Sequence, residues 1–348
     1  LTNPASGQNR AVRLLVLGGT SFVGRTVVTA AVDRGWSVAT FNRGFSGWVH
    51  PQAERLTGDR LRPADLAPLA DGRWDAVVDT WSGAPRAVRD SAARLAASTD
   101  RYLYVSSRSV YAQPLPPGLD ETHPTVEASP DADATEYPHD KRGAEIAVEA
   151  AFGDRAVLAR AGLILGPHED VGRLPYWLLR IERGGEVLAP GPADLPLRYI
   201  DVRDLAAWLL DAVKAGVSGA VNLVNPPGHA TTRDLLVAAI ATTGSDAELV
   251  WVGPAVIEAT GINRWTDLPG WIPPDPDLAG LISTNVDRAS ATGLRCRPVT
   301  QTVADTWAWL VAAGRVLPSK PDRPRLGLDP AKERSALAAW RGAASTAP

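Results

Sequence analysis

Tyr137 and Lys141 stand four residues apart, a spacing that on a helix places a phenol and an ammonium on one face. A phenol ordinarily titrates near pH 10 and is a poor proton carrier at neutral pH, but a neighbouring ammonium favours the phenolate and brings proton exchange within reach. Upstream, the apolar run Tyr102-Leu103-Tyr104-Val105 ends in Ser106, Ser107, Arg108 and Ser109, so either Ser106 or Ser107 can supply a hydroxyl donor at a strand end. The third feature is Gly18-Gly19-Thr20-Ser21-Phe22-Val23-Gly24, directly after Leu14-Leu15-Val16-Leu17. Glycine at 18 and 19 permits a sharp turn and a close approach of backbone to ligand. A helix opening there offers unpaired N–H groups and a partial positive charge, which is how a nucleotide pyrophosphate is held. Gly24 removes a side chain where helix and strand must pack closely.

These groups need a scaffold that carries residues 18–24, 106–107 and 137–141 to one edge. Apolar strand-like runs near 13–17, 37–41, 75–80, 101–106 and 155–160 alternate with helical patterns at 23–34, 63–70, 84–97 and 137–151. Such alternation predicts right-handed βαβ crossovers and a parallel, doubly wound α/β sheet with ligands at the carboxyl ends of its strands. Beyond residue 160 the character changes. An insert runs from Gly166-Pro167 through Trp177 to Pro196, and a strand–helix unit at 197–214 with a strand at 219–224 reads as a return to the sheet. Residues 225–316 are rich in Pro and Trp and predict a smaller lobe, followed by a connector from Pro318 to Arg325 and a last helix near 329–342, with Leu337 and Trp340 on one side. The expected division is a nucleotide-binding domain over 11–165, rejoined by 197–225, and a substrate lobe with the C-terminal helix over most of 166–348. Residues 1–10 are polar and aperiodic and are expected to be loose.

A chain of 348 residues with 45% hydrophobic content can bury a substantial core. A net charge of −3 speaks against a nucleic-acid footprint or a polybasic membrane anchor. The single cysteine, Cys296, excludes an internal disulfide and, with five scattered histidines, leaves no zinc spacing, so no metal is expected. No signal-peptide pattern and no uninterrupted apolar run of bilayer length are present, which makes the cytoplasm the expected compartment.

Taken in order, the glycine turn, the serine after a central strand and Tyr137-Pro138-His139-Asp140-Lys141 resemble the short-chain dehydrogenase/reductase superfamily, in its extended branch of NAD(P)-dependent epimerases, dehydratases and reductases. The flavour is that of bacterial epimerase/dehydratase-like or isoflavone-reductase-like reductases. The family's three-glycine spacing is met here by Gly18, Ser21 and Gly24. The resemblance implies a Rossmann-type sheet with a smaller C-terminal substrate lobe, and a catalytic set of Ser107, Tyr137 and Lys141. Ser107 is selected over Ser106 because it lies four positions before the tyrosine of Val110-Tyr111. The implied cofactor contacts are Gly18, Gly19, Thr20, Ser21, Phe22, Val23, Gly24, Asn42, Arg43, Asp59, Arg60, Thr80, Trp81, Tyr137 and Lys141. Asn42 and Arg43 stand where NAD-specific relatives place an acid, and arginine is a good phosphate partner, so NADP is expected in preference to NAD.

Sugar-nucleotide dehydratases carry an Asp-Glu pair where this chain has Arg108-Ser109, which disfavours elimination. Nucleotide-sugar enzymes also place an arginine at the position of Leu197 in Leu197-Arg198-Tyr199-Ile200-Asp201-Val202, so a diphosphate anchor is not expected. Arg108, Tyr176, Trp177 and Arg198 are the candidate substrate contacts, and Trp81, Trp265 and Trp271 are further aromatics that could line an apolar pocket. The implied activity is NADP(H)-dependent hydride transfer at a carbonyl or secondary-alcohol carbon. Nucleotide-sugar epimerisation is the enzymatic alternative, and a non-catalytic NADP-sensing or RNA-binding module is the alternative of another class. A small-molecule substrate is expected, without nucleic-acid or membrane partners; a homodimer stays open.

Overall fold

The computed structural model describes residues 11–45, 47–320 and 324–345, with side chains to residue 342. The N-terminal segment 1–10 and part of the 318–325 connector lie outside the described residues. In chain order the first half contains β1 (Arg13–Leu17), α1 (Phe22–Asp33), β2 (Ser37–Asn42), β3 (Glu54–Thr57), β4 (Trp74–Asp79), α2 (Pro85–Leu95), β5 (Thr99–Ser107), α3 (Tyr137–Phe152) and β6 (Ala156–Ala161). There follow β7 (Leu163–Leu165), α4 (Arg173–Glu182), β8 (Glu186–Pro190), β9 (Tyr199–Asp201), α5 (Val202–Ala215), β10 (Gly219–Leu223), α6 (Thr232–Thr243) and β11 (Glu248–Val252). The last elements are α7 (Pro254–Ala259), α8 (Ala279–Ile282), α9 (Asp287–Ala291), α10 (Val299–Ala312) and α11 (Pro330–Ser345).

Seven strands form a parallel Rossmann-type sheet in the order β10-β6-β5-β4-β1-β2-β3. β1 pairs in parallel with both β2 and β4, and the order reverses there, as a doubly wound sheet requires. The buried runs of β1, β4 and β5 are nearly continuous because helices cover both faces, so no polar face is needed. Leu15, Val77, Tyr102, Val88 and Val148 belong to one packed core.

Two expectations are corrected, and one strand is found that the sequence reading did not name. Residues 63–70 form a 3₁₀ helix, because Pro68 lies inside it, lacks an N–H and would clash with the carbonyl an α turn earlier. The charged edge strand β3, Glu-Arg-Leu-Thr, carries no alternation to betray it, yet it pairs with β2. The strand at the start of 197–214 does not rejoin the main sheet: β9 pairs with β7 in a separate two-stranded sheet, and the return is made by β10.

The chain divides into two compact units. One takes in the described residues of Leu1–Val110 with Val126–Ala159 and Leu209–Ala220; the other takes in Tyr111–Thr125, Arg160–Trp208 and the described residues of Val221–Pro348. The second unit has its own core, in which Trp177, Ile181, Leu236, Val303 and Leu337 pack together with α11 docked on it. Within that unit Arg180 and Glu333 form a buried ion pair that ties α4 to α11. Among the described residues no helix is long and apolar enough to cross a membrane.

Candidate active site

The glycine turn follows β1 with Gly18 at φ +116° and Gly19 at φ +88°, conformations that favour glycine. Space imposes the same demand. A Cβ on Gly18 would lie 2.4 Å from Thr80 Oγ1, one on Gly19 would lie 2.8 Å from Thr40 Cγ2, and one on Gly24 would lie 2.5 Å from the Gly19 nitrogen. Helix α1 therefore sits directly on the turn. Its N-cap, Ser21, is extended and makes no side-chain cap, and no acid occupies the first turn. The opening N–H groups are thus left without a capping side chain, in the arrangement that receives an anion. A backbone cradle that any Cβ would fill, ahead of an uncapped helix, fits a dinucleotide pyrophosphate. Thr20 and Val23 are half-buried and Ser21 is exposed, whereas Phe22 is buried beneath the turn.

At the end of β2, Asn42 Nδ2 donates to the Gly18 carbonyl (3.4 Å) and Oδ1 accepts from the Gly44 N–H (2.9 Å), bracing the turn. Arg43 is exposed, with its guanidinium 5.5 Å from the Phe45 ring centroid. Arg25, on the first turn of α1, stacks 4.4 Å from Trp48, and Arg55 donates to the Gly44 carbonyl. Asp59 is half-buried and accepts from the Leu61 N–H. Thr80 donates its hydroxyl to the Leu17 carbonyl (3.1 Å), next to the turn.

Arg60 does not face a ligand edge. It is buried and forms a two-point pair with Asp79 at 2.6 and 2.7 Å, because a guanidinium withdrawn from water needs a planar anionic partner. Burial opposes its charge, but Asp79 more than offsets this and raises its pKa.

Tyr137 opens α3 and is 42% exposed, while Lys141, one turn on, is 3% exposed. Lys141 Nζ donates to the Trp81 carbonyl (2.6 Å) and the Val105 carbonyl (2.7 Å), and it lies 4.7 and 5.9 Å from the ring centroids of Tyr104 and Tyr137. A turn further along α3, buried Glu145 accepts from Ser106 Oγ (2.7 Å) and from Arg142 (2.9 Å), pinning the helix to β5. Ser106 is thus engaged in the scaffold. Ser107 is half-buried at the end of β5, where its Oγ donates to Ser109 Oγ (3.1 Å) and accepts the Ser109 N–H. Arg108 is buried. Sequence reasoning missed Glu145, Tyr104 and Asp79, which hold the site from beneath.

The remaining substrate candidates belong to the second unit. Tyr176 and Trp177 are core side chains there, packed edge-to-face 5.1 Å apart, with Trp177 Nε1 donating to the Pro269 carbonyl, so their aromatic area is used in packing. Trp271 is buried in the same core and Trp265 is half-exposed beneath Arg173. Arg198 is buried and donates to the Thr284 carbonyl (2.8 Å); burial pulls its pKa down to about 10. Leu197 is buried and apolar. Among the described residues no three His, Cys, Asp or Glu side chains gather to hold a metal ion.

Residues 14–224 match the family described as the NAD dependent epimerase/dehydratase family. That match spans more than half of the chain, so the chain belongs to that epimerase/dehydratase family and is an NAD(P)-dependent enzyme of the extended short-chain dehydrogenase/reductase type. No curated protein matches it. Among solved structures it is similar to the enzyme WbmH of Bordetella bronchiseptica in complex with NAD+, with 18% identity, TM-score 0.65, and 87% of this chain and 99% of that chain covered. It is also similar to the UDP-glucose 4-epimerase of Thermotoga maritima with UDP-glucose (17% identity, TM-score 0.63, 87% and 99% covered). A third similar structure is the UDP-glucose 4-epimerase of Thermus thermophilus with NAD (19% identity, TM-score 0.62, 87% and 100% covered). At these identities the likeness establishes the fold.

Proposed function

We propose that this chain is an NADP(H)-dependent oxidoreductase that moves a hydride at a carbonyl or secondary-alcohol carbon of a small molecule. The observation that carries the reading is an exposed phenol, Tyr137, one helical turn before a buried ammonium, Lys141, that two carbonyls hold in place. The Gly18–Gly24 turn and the start of α1 would hold the pyrophosphate, with Asp59 toward the adenine and Thr80 toward the ribose or the nicotinamide. A bound nicotinamide dinucleotide supplies the hydride donor or acceptor. Tyr137 exchanges the proton on the substrate oxygen, Lys141 would hold the nicotinamide ribose, and Ser107 donates to the same oxygen and orients Tyr137. Asn42 and exposed Arg43 at the end of β2 support NADP over NAD, since a carboxylate there would repel a 2′-phosphate. Buried, apolar Leu197 supports a less charged, partly apolar substrate, such as a cyclic ketone or alcohol, over a nucleotide diphosphate.

The family description favours one second reading, a nucleotide-sugar epimerase in which the same Tyr137 serves oxidation and re-reduction of one carbon. The test is a screen of cyclic ketones with NADPH and of nucleotide sugars, followed by Tyr137→Phe on whichever substrate turns over. Net NADPH consumption is expected, with turnover in the variant reduced at least roughly a hundredfold and dinucleotide binding retained. Isomerisation of a sugar nucleotide without net NADPH consumption establishes the epimerase instead. Near-wild-type turnover of Tyr137→Phe defeats both.

A further inference from the structure

Two carbonyls hold Lys141, and one of them, that of Trp81, is itself held by a buried ion pair. Asp79, at the end of β4, is fully buried and receives four hydrogen bonds. Two come from the Arg60 guanidinium, one from the Tyr102 hydroxyl (2.6 Å) and one from the Trp81 N–H (2.9 Å). Burial lifts the Tyr102 pKa well above the ordinary phenol range, so its hydroxyl stays protonated and donates. Arg60 is itself located by Ser91 Oγ (3.0 Å) and the Ala87 carbonyl (3.3 Å) on α2, and its plane lies 5.1 Å from the Trp81 ring centroid. The Trp81 indole N–H goes to the Ala84 carbonyl (3.0 Å).

Residue 81 is therefore fixed at its N–H by Asp79, on its ring face by Arg60 and at its ring edge by Ala84. What it presents in return is its carbonyl oxygen, which accepts Lys141 Nζ at 2.6 Å and the Tyr104 hydroxyl at 3.0 Å. A lysine stem is flexible and its ammonium is a point charge with no preferred direction, so its position is set by where its acceptors are held. We propose that Arg60 and Asp79 are positioning residues for Lys141, acting through the Trp81 carbonyl. The proposal rests on the reading of Lys141 as the cofactor-side lysine only where its effect on dinucleotide affinity is concerned; the effect on the Lys141 side chain stands apart from it.

The chain contains only four lysines, Lys141, Lys214, Lys320 and Lys332, so NMR of the ligand-free, full chain labelled at lysine Cε and Nζ resolves Lys141, assigned with Lys141→Met. Arg60→Lys keeps the charge beside Asp79 but loses the two-point geometry and the plane over Trp81. Tyr102→Phe removes one hydrogen bond from Asp79 at unchanged shape and serves if Arg60→Lys does not fold. Val38→Ala, a cavity in β2, two strands away from β4 in the same sheet, is the control for general loosening. The expected result is a Lys141 signal that shifts and gains side-chain mobility in Arg60→Lys, and less so in Tyr102→Phe, while Val38→Ala leaves it at the wild-type position. NADPH affinity should fall roughly tenfold in Arg60→Lys, the scale of one charged hydrogen bond, and stay within about twofold of wild type in Val38→Ala. A folded Arg60→Lys, or failing that a Tyr102→Phe, with an unmoved Lys141 signal overturns the proposal, as does an equal response in Val38→Ala. If Lys141→Met itself binds NADPH like wild type, the functional reading of Lys141 fails, and the NMR comparison still decides the positioning claim.

Discussion

Glu169 lies in the Gly166–Gly172 segment that leads into α4, fully buried, where its two carboxylate oxygens accept the N–H groups of Arg173 (2.6 Å) and Leu174 (3.1 Å). Gly172, at the N-cap, has no side chain to offer, so Glu169 takes over the capping of α4 from three residues upstream. Burial pushes its pKa from the ordinary 4.5 to about 7, against the opposing pull of the Arg173 charge and the two N–H bonds. The folded protein therefore holds a proton there between about pH 4.5 and 7 that the unfolded chain has released, so stability falls as pH rises through that window. At about 1.4 kcal/mol for each pKa unit, the full loss is on the order of 3 kcal/mol. Glu169→Gln keeps the volume and removes the titration. Its single carbonyl oxygen replaces two acceptors, so it should be less stable than wild type at pH 5. Urea unfolding of both proteins at pH 5, 6, 7 and 8, followed by tryptophan fluorescence, isolates the group because the other titrating residues cancel in the difference. The gap should move by roughly 2–3 kcal/mol in favour of the variant between pH 5 and 8. A gap that stays constant would refute the reasoning: the carboxylate would then be ionised in the fold, with the N–H pair and Arg173 outweighing burial.

Gly24→Ala must push α1 off the glycine turn, because the added Cβ meets the Gly19 backbone at 2.5 and 2.8 Å; the cost should be about 1–3 kcal/mol, with NADPH affinity by calorimetry reduced at least roughly tenfold. Gly342→Ala, in open space on α11, should be neutral or stabilising by up to about 1 kcal/mol, and a Gly24→Ala protein with unchanged affinity would remove the turn from the phosphate site. Glu333→Ala strands buried Arg180 and removes the acceptor of the Leu188 N–H, so chemical denaturation should register a loss of about 3–5 kcal/mol. A loss below about 1 kcal/mol would mean that the pair adds nothing its desolvation does not cancel. Arg43→Ala should weaken NADPH by about 1–2 kcal/mol and leave NADH untouched; an equal loss for both dinucleotides would take Arg43 away from the 2′-phosphate.

The features legible in the amino-acid order are those written in neighbouring residues. A strand that runs into glycines and then a helix, and a tyrosine four before a lysine, are local patterns, and backbone geometry converts them directly into a phosphate cradle and a shared helix face. The alternation of apolar runs with helical periods determined the parallel sheet in the same way, because only crossovers of one hand can connect such elements. Tertiary structure alone decided where the long-range partners fall. Arg60 is itself an expected cofactor contact when read in sequence, and the fold turns it inward because Asp79, nineteen residues on, is buried within reach. Tyr176 and Trp177 have the aromatic character of pocket walls, yet the second unit consumes them in its core. β9 has the look of a returning strand, but β7 gives it a partner first. The acceptors that seat Lys141 leave no trace in the sequence at all, since every residue carries a carbonyl and only the packing of β4, β5 and α3 selects those of Trp81 and Val105.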